Sequence, residues 1–276
     1  MKSKKRMCKQ TVSNKSIGVF DSGLGGLTVY QHIKKLLPNE NIIYFADTSR
    51  APYGGRPKYE LLTFAKEITN FLLTQNVKAI VIGCNTISAN CYTDLLTIYD
   101  IPMFELINSA ITESIKASKS NRNQGIGYLA TEASVNSGTF AKGVAKLSSL
   151  NVYARGCPLF VPLVEEGLTD PQYSLPAVQL YLSEMLTHID SLVLGCTHYP
   201  FLEKAIKQVT DEYKISIINP AYDAATKLSK FLLENNILAK NEKSVDVFYT
   251  TGDKTKFENL VKKLIGIDIT TCSIKV

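Results

Sequence analysis

Two Gly-Cys dipeptides, Gly83-Cys84 and Gly195-Cys196, each follow a short apolar run and precede polar residues: Asn85-Thr86 in one case, Thr197-His198 in the other. A thiol placed where a strand gives way to a helix sits beside unpaired backbone amides, which lower its pKa below the ordinary value of about 8.5. A lone cysteine after a buried strand is more often a small core residue. Two in matched surroundings point instead to paired proton chemistry. Inverting a tetrahedral carbon needs a base on one face and an acid on the other, and a thiol tuned towards neutral pH suits both tasks. Asn85, Thr86, Thr197 and His198 could hydrogen-bond a carboxylate or orient the adjacent thiol, although His198 would serve equally as a satisfied turn histidine. Without a C-x-x-C pair a redox role has little support, and a cysteine protease has no use for a second cysteine.

The elements that must carry these residues follow from hydrophobic patterning. Short apolar runs at 17–20, 42–46, 79–82, 101–106, 126–130, 152–154, 192–194, 215–218 and 245–249 alternate with longer amphipathic segments. In one such segment Leu61, Phe64, Ala65, Ile68 and Leu72 recur at the spacing of a helix face. This alternation predicts an α/β fold with largely parallel sheet, whose ligands bind beyond the carboxyl ends of the strands. Residues 79–89 align with 191–201 at an offset of 112, while 17–18 align with 126–127, and 43–44 with 152–153, at an offset of 109. The chain therefore reads as two similar α/β halves, each placing one cysteine at a strand end.

Two further loops follow strands. Asp21-Ser22-Gly23-Leu24-Gly25-Gly26 opens a helix, and its glycines let backbone approach a ligand. Thr28 replaces the third glycine of a dinucleotide fingerprint and no Gly-Lys-Ser/Thr follows, so a nucleotide site is disfavoured. A tight turn capped by Asp21 is the plain alternative. An Asp21 carboxylate beside backbone amides would also suit the ammonium and carboxylate of an amino acid. The second loop, 47–56, contains an ordered Pro52-Tyr53-Gly54-Gly55 turn.

Composition narrows the classes. Of 276 residues, 45% are hydrophobic and 20% charged, which argues against intrinsic disorder. Six of the 31 bases, and no acid, lie in residues 1–16, so the remainder of the chain is formally neutral despite the net charge of +6. A charged nucleic-acid-binding face is disfavoured; any nucleic-acid contact would fall to the basic tail. No apolar run of about 18 residues predicts a membrane-spanning helix, and residues 10–16 are too polar for a signal peptide. The expectation is a cytoplasmic protein in which most of the six scattered cysteines are free thiols.

On these motifs the chain resembles the bacterial glutamate racemases, isomerases that interconvert L- and D-glutamate for peptidoglycan synthesis without pyridoxal phosphate or any other cofactor. The resemblance runs from about Ile17 to the C-terminal region. It rests on Val19-Phe20-Asp21-Ser22-Gly23 with Gly25-Gly26-Leu27-Thr28-Val29, Asp47-Thr48 with Ala51-Pro52-Tyr53-Gly54, Cys84-Asn85-Thr86, Cys157-Pro158 before Val161-Pro162-Leu163-Val164-Glu165, and Leu194-Gly195-Cys196-Thr197-His198-Tyr199-Pro200. It implies two similar α/β domains related by a pseudo-two-fold duplication, with the active site at their interface. The implied division is a basic disordered tail at 1–16, a first domain at 17–108 completed by 219–276, and a second at 109–218. Cys84 and Cys196 would be the catalytic proton donors and acceptors, with Asp21, Ser22, Tyr53, Gly54, Asn85, Thr86, Thr197 and His198 binding the substrate. Asp21, Glu165 and His198 would assist the thiols. The resemblance further implies glutamate as substrate, no metal, no membrane association and a homodimer. Asn108-Ser109 and Asn219 depart from the family pattern, at positions expected to shape the domain interface. Aspartate racemisation and a non-catalytic amino-acid-binding module are the alternatives.

Overall fold

The protein is seen in a computed structural model, which describes residues 12–118, 125–240 and 242–276. Its first sheet has the order β10-β9-β2-β1-β3-β4 and its second β6-β5-β7-β8, with every pairing parallel. The strands of the first are β1 (Ile17–Asp21), β2 (Ile42–Ala46), β3 (Ala79–Ile82), β4 (Met103–Phe104), β9 (Val247–Thr250) and β10 (Thr271–Ser273). Those of the second are β5 (Gly125–Ala130), β6 (Asn151–Gly156), β7 (Ser191–Gly195) and β8 (Ser216–Ile218). The order 2-1-3-4 in one sheet thus recurs as 6-5-7-8 in the other, and β9 with β10 is an addition to the first.

The ladder registers make the duplication residue-specific. Ile17 pairs with Ala79 and Ile126 with Ser191, which reproduces the offset of 112 that equates Cys84 with Cys196. Ile17 pairs with Ile42, whereas Ile126 pairs with Val152, so the second strands correspond at an offset of 110 instead of 109.

Strand periodicity explains the layers. In the first sheet Ile17, Val19, Ile42, Tyr44, Ala79 and Val81 face one apolar cluster with α1 (Leu27–Leu36), α10 (Ala221–Glu234) and α11 (Lys254–Ile265). Phe20, Ile43, Phe45, Ile80 and Ile82 face the opposite cluster with α2 (Lys58–Thr74) and α3 (Asn85–Ile98). Strands buried on both faces are continuously apolar. In the second sheet Leu129, Leu192 and Leu194 join the first cluster through α7 (Phe160–Glu165), α8 (Pro171–Leu182) and α9 (Glu203–Thr210). Ile126, Tyr128 and Val193 pack instead on α4 (Ile107–Ser118) and α6 (Thr139–Leu147), which follows the short α5 (Glu132–Ser137). One apolar cluster is therefore continuous through both sheets.

Several expectations change in detail. The apolar run 101–106 yields only the two-residue β4, because Pro102 has no amide to donate and Glu105 turns to cap α4, accepting from the amides of Ile107 and Asn108. By register Asn219 stands where Glu105 does, and its Oδ1 caps α10 at Ala221 N (3.1 Å). Ser109 accepts a hydrogen bond from Lys227 Nζ (3.0 Å), linking α4 to α10. The basic tail assigned to 1–16 lies outside the described residues as far as residue 11. Within the remaining part of that segment Ser13 is buried, its carbonyl accepts from Lys78 Nζ (2.8 Å), and Lys78 N donates to Ser16 O (2.9 Å). Among the described residues no helix is long and apolar enough to cross a membrane.

Candidate active site

Strand ends from both sheets converge on one cavity of about 210 Å³. Asp21 is the last residue of β1, Cys84 follows β3 as the N-cap of α3, and Cys196 follows β7. The cavity is lined by all ten residues singled out for the chemistry: Cys84, Cys196, Asp21, Ser22, Tyr53, Gly54, Asn85, Thr86, Thr197 and His198. Glu165, at the end of α7, lines it too. The two cysteines open different elements. Cys84 starts an α-helix, whereas Cys196 leads into a 3₁₀ turn, Tyr199–Leu202, containing Pro200.

Buried polar groups without partners face this space. Asp21 is fully buried; its Oδ2 accepts from Gly23 N (3.1 Å) and Gly26 N (3.0 Å), but Oδ1 has no hydrogen-bond partner among the described residues. Neither amide atom of the buried Asn85 has one. Leaving such groups unpaired costs roughly 1–3 kcal/mol each, so their presence marks a place built for a polar ligand. Tyr53 is held by its hydroxyl, which donates to the buried Asp47; Asp47 also accepts from Arg50 Nε (2.6 Å) and Thr251 Oγ1 (2.8 Å).

The thiols have contrasting partners. Burial and then the neighbouring Asp21 carboxylate push Cys84 well above the usual thiol range, against the opposing pull of the Ile87 and Thr86 amides. The helix end thus acts in the expected direction, yet the expected low pKa is not realised at Cys84. Cys196 Sγ lies 3.7 Å from His198 Nδ1, and His198 Nε2 lies 2.7 Å from Glu165 Oε1. Burial opposes a charged imidazole, but the hydrogen bonds to Cys196 and Glu165 carry His198 well above its usual value. Burial likewise opposes ionisation of Glu165, but the hydrogen bond and charge of His198, with the Leu24 amide and Lys256, together outweigh it and leave the carboxyl below its usual range. Asp21 is raised by burial, despite the compensating charge of His198 and the Gly26 and Gly23 amides. One cavity wall therefore favours a protonated thiol, while the other offers a thiol in contact with a carboxylate-backed imidazole.

The profile of the Asp/Glu/Hydantoin racemase family matches residues 17–228. The chain belongs to this family. Among racemase relatives it is similar to glutamate racemase 1 of Caldanaerobacter subterraneus subsp. tengcongensis, at 40% identity over 247 residues covering 88% of this chain and 90% of that one. A solved glutamate racemase isoform from Bacillus anthracis is 35% identical with a TM-score of 0.90, covering 96% of this chain and 98% of its own. The glutamate racemase from Francisella tularensis, solved in complex with D-glutamate, is 34% identical with a TM-score of 0.87, covering 95% and 98%.

The racemase cavity also contains residues to which sequence patterning assigned no role. Thr131 follows β5 as Ser22 follows β1, at the repeat offset of 109, so the duplication carried a signal for it. Its Oγ1 lies 3.0 Å from Thr86 Oγ1 and caps α5 at Ser134 N (3.3 Å). Cys157 follows β6 and is a third buried thiol in the lining, pushed up by burial. Glu132, Pro158, Val161 and Pro162 complete that side.

Proposed function

We propose that this racemase interconverts L- and D-glutamate by moving the α-proton between Cys84 and Cys196. The observation that carries the reading is the pair of thiols from equivalent positions of the two sheets, opening on one cavity beside the unpaired Asp21 Oδ1 and Asn85 amide. The substrate ammonium group pairs with Asp21. Its carboxylates take donors from Asn85, Thr86, Thr197, Ser22 and the Tyr53-Gly54 segment. A thiolate on one face removes the α-proton, and the electron pair left on carbon delocalises into the adjacent carboxylate. The thiol on the other face then protonates the carbon, so the product has the opposite hand and the two cysteines have exchanged protonation states. In one direction Cys196, in contact with the Glu165-backed imidazole of His198, is the base and Cys84 the acid.

The chain is an isomerase, and the D-glutamate it forms supplies peptidoglycan synthesis. The two sheets support a division into a first domain of 17–108 with 219–276 and a second of 109–218. A cytoplasmic homodimer completes the reading. Comparing kcat/KM for D-glutamate and D-aspartate on purified protein tests the substrate: the ratio should favour glutamate strongly, and equal values or an aspartate preference would overturn the assignment. Glutamate binding without turnover would identify a binding module instead.

A further inference from the structure

The glycines of the first loop touch protein, not only ligand space. A Cβ at Gly25 would lie 2.6 Å from Thr197 Oγ1 and 2.7 Å from His198 Cε1, and nearer still to Nδ1, the nitrogen that faces Cys196. A Cβ at Gly23 would lie 2.9 Å from Glu165 Oε1. Real Cβ atoms do not approach other atoms this closely in a packed interior. His198 and Thr197 are both buried, and the ring can yield only towards the cavity, leaving its contacts with Cys196 and Glu165. Neither glycine has a positive φ; an alanine would be excluded by contact and not by backbone conformation. The same loop donates its Gly23 and Gly26 amides to Asp21, the carboxylate beside Cys84. Thr28, at the start of α1, adds a hydroxyl contact to the Thr197 carbonyl at 3.3 Å.

We propose that the 21–26 loop of the first sheet is the common positioning element for both proton-transfer arms, with Gly25 and Gly23 as positioning residues whose missing side chains let His198, backed by Glu165, lie against Cys196. The inference rests on the racemase reading of the cavity. It explains why two glycines stand where the loop meets Glu165, Thr197 and His198: only a missing side chain allows the imidazole to lie between this loop and the thiol. A methyl group at 25 displaces the imidazole while the loop amides keep Asp21 in place, so the Cys196 arm is disturbed and the Cys84 arm is not.

The test is Gly25→Ala in the full chain, with Gly23→Ala as the milder variant because its clash is with a flexible carboxylate tip. A displacement near 1 Å lowers turnover by about 100-fold, and Gly23→Ala should lose less. Since the equilibrium constant of a racemisation is one, kcat/KM must fall equally in both directions, and the asymmetry appears in isotope effects. With α-deuterated L- and D-glutamate, the enantiomer whose hydrogen faces Cys196 should show a raised effect and the other a lowered one. The His198 imidazole, followed by NMR, should titrate at lower pH than in the unmodified protein. Unchanged turnover in both variants would overturn the proposal, as would a loss with symmetrical isotope effects and an unmoved His198 titration. If Gly25→Ala does not fold, the same readouts on Gly23→Ala decide. Unmodified protein that cannot exchange the α-proton of glutamate would instead bring down the racemase reading itself.

Discussion

Cys84 and Cys196 occupy the same position of a duplicated ladder: Ala79 and Ser191 pair with the equivalent residues Ile17 and Ile126, and five residues later each strand delivers its thiol. Equivalence in register is not equivalence in surroundings. Asp21 neighbours one thiol, and a histidine backed by Glu165 contacts the other.

Because inversion needs an acid and a base together, Cys84→Ala and Cys196→Ala should each reduce racemisation by at least about 1000-fold, within the range expected for losing a general acid or base. Circular dichroism should show both variants folded. Substantial turnover in either would refute the two-thiol assignment.

Cys84 should alkylate slowly at neutral pH. Its thiolate is disfavoured by burial and by Asp21, so peptide mapping after iodoacetamide treatment should show modification rising only above the ordinary thiol range. Asp21→Asn removes the negative charge and should move that rise to lower pH. A rise unchanged by Asp21→Asn would show that the carboxylate does not control the thiol.

The His198 and Glu165 pair should stabilise the fold within a pH window. A raised imidazole pKa contributes stability that is full below its unfolded value of 6.5 and fades as pH climbs through the folded value. The lowered Glu165 pKa contributes above its unfolded value of 4.5 and fades as pH drops through the folded one. Glu165→Gln should therefore cost about 2 kcal/mol between these values, as for a hydrogen bond to a charged group. The deficit should shrink at more acidic and more alkaline pH. Urea unfolding across a pH series measures it, and a pH-independent deficit would contradict the pairing.

Far from the cavity, Lys78 Nζ joins Glu40 Oε2 (2.6 Å) to the carbonyls of Ser13 and Ile237 (both 2.8 Å). Both side chains of the ion pair are buried. Lys78→Met leaves an uncompensated carboxylate and should cost about 3–5 kcal/mol. Lys78→Met combined with Glu40→Leu should be less damaged than the single variant in thermal unfolding. A double variant as unstable as the single would show that the carbonyl contacts, not the charge, dominate.

Much of the site was legible in sequence because the duplication repeats short apolar strands in register, and Gly-Cys stands at the end of three strands, two of them equivalent. Thr131 escaped because the repeat beyond β5 preserves a hydroxyl but no motif. Glu165 lies 33 residues before His198, and their contact follows from tertiary packing, although the resemblance had marked both. The contacts of Ser13 and Ser16 were hidden because their partner is Lys78, a residue whose burial no local pattern reveals. The polar β10, Thr271–Ser273, is too short for periodicity to register. The strongest mismatch concerned Cys84, where helix-end amides were visible in sequence but the opposing burial and Asp21 charge were not.

The most direct test is to incubate the purified protein with D-glutamate in deuterium oxide, without added cofactor, and follow the α-position by NMR together with the chirality of the amino acid. L-glutamate should appear with deuterium at its α-carbon, and either cysteine variant should abolish this. Protein that binds glutamate but leaves the α-hydrogen unexchanged would contradict it.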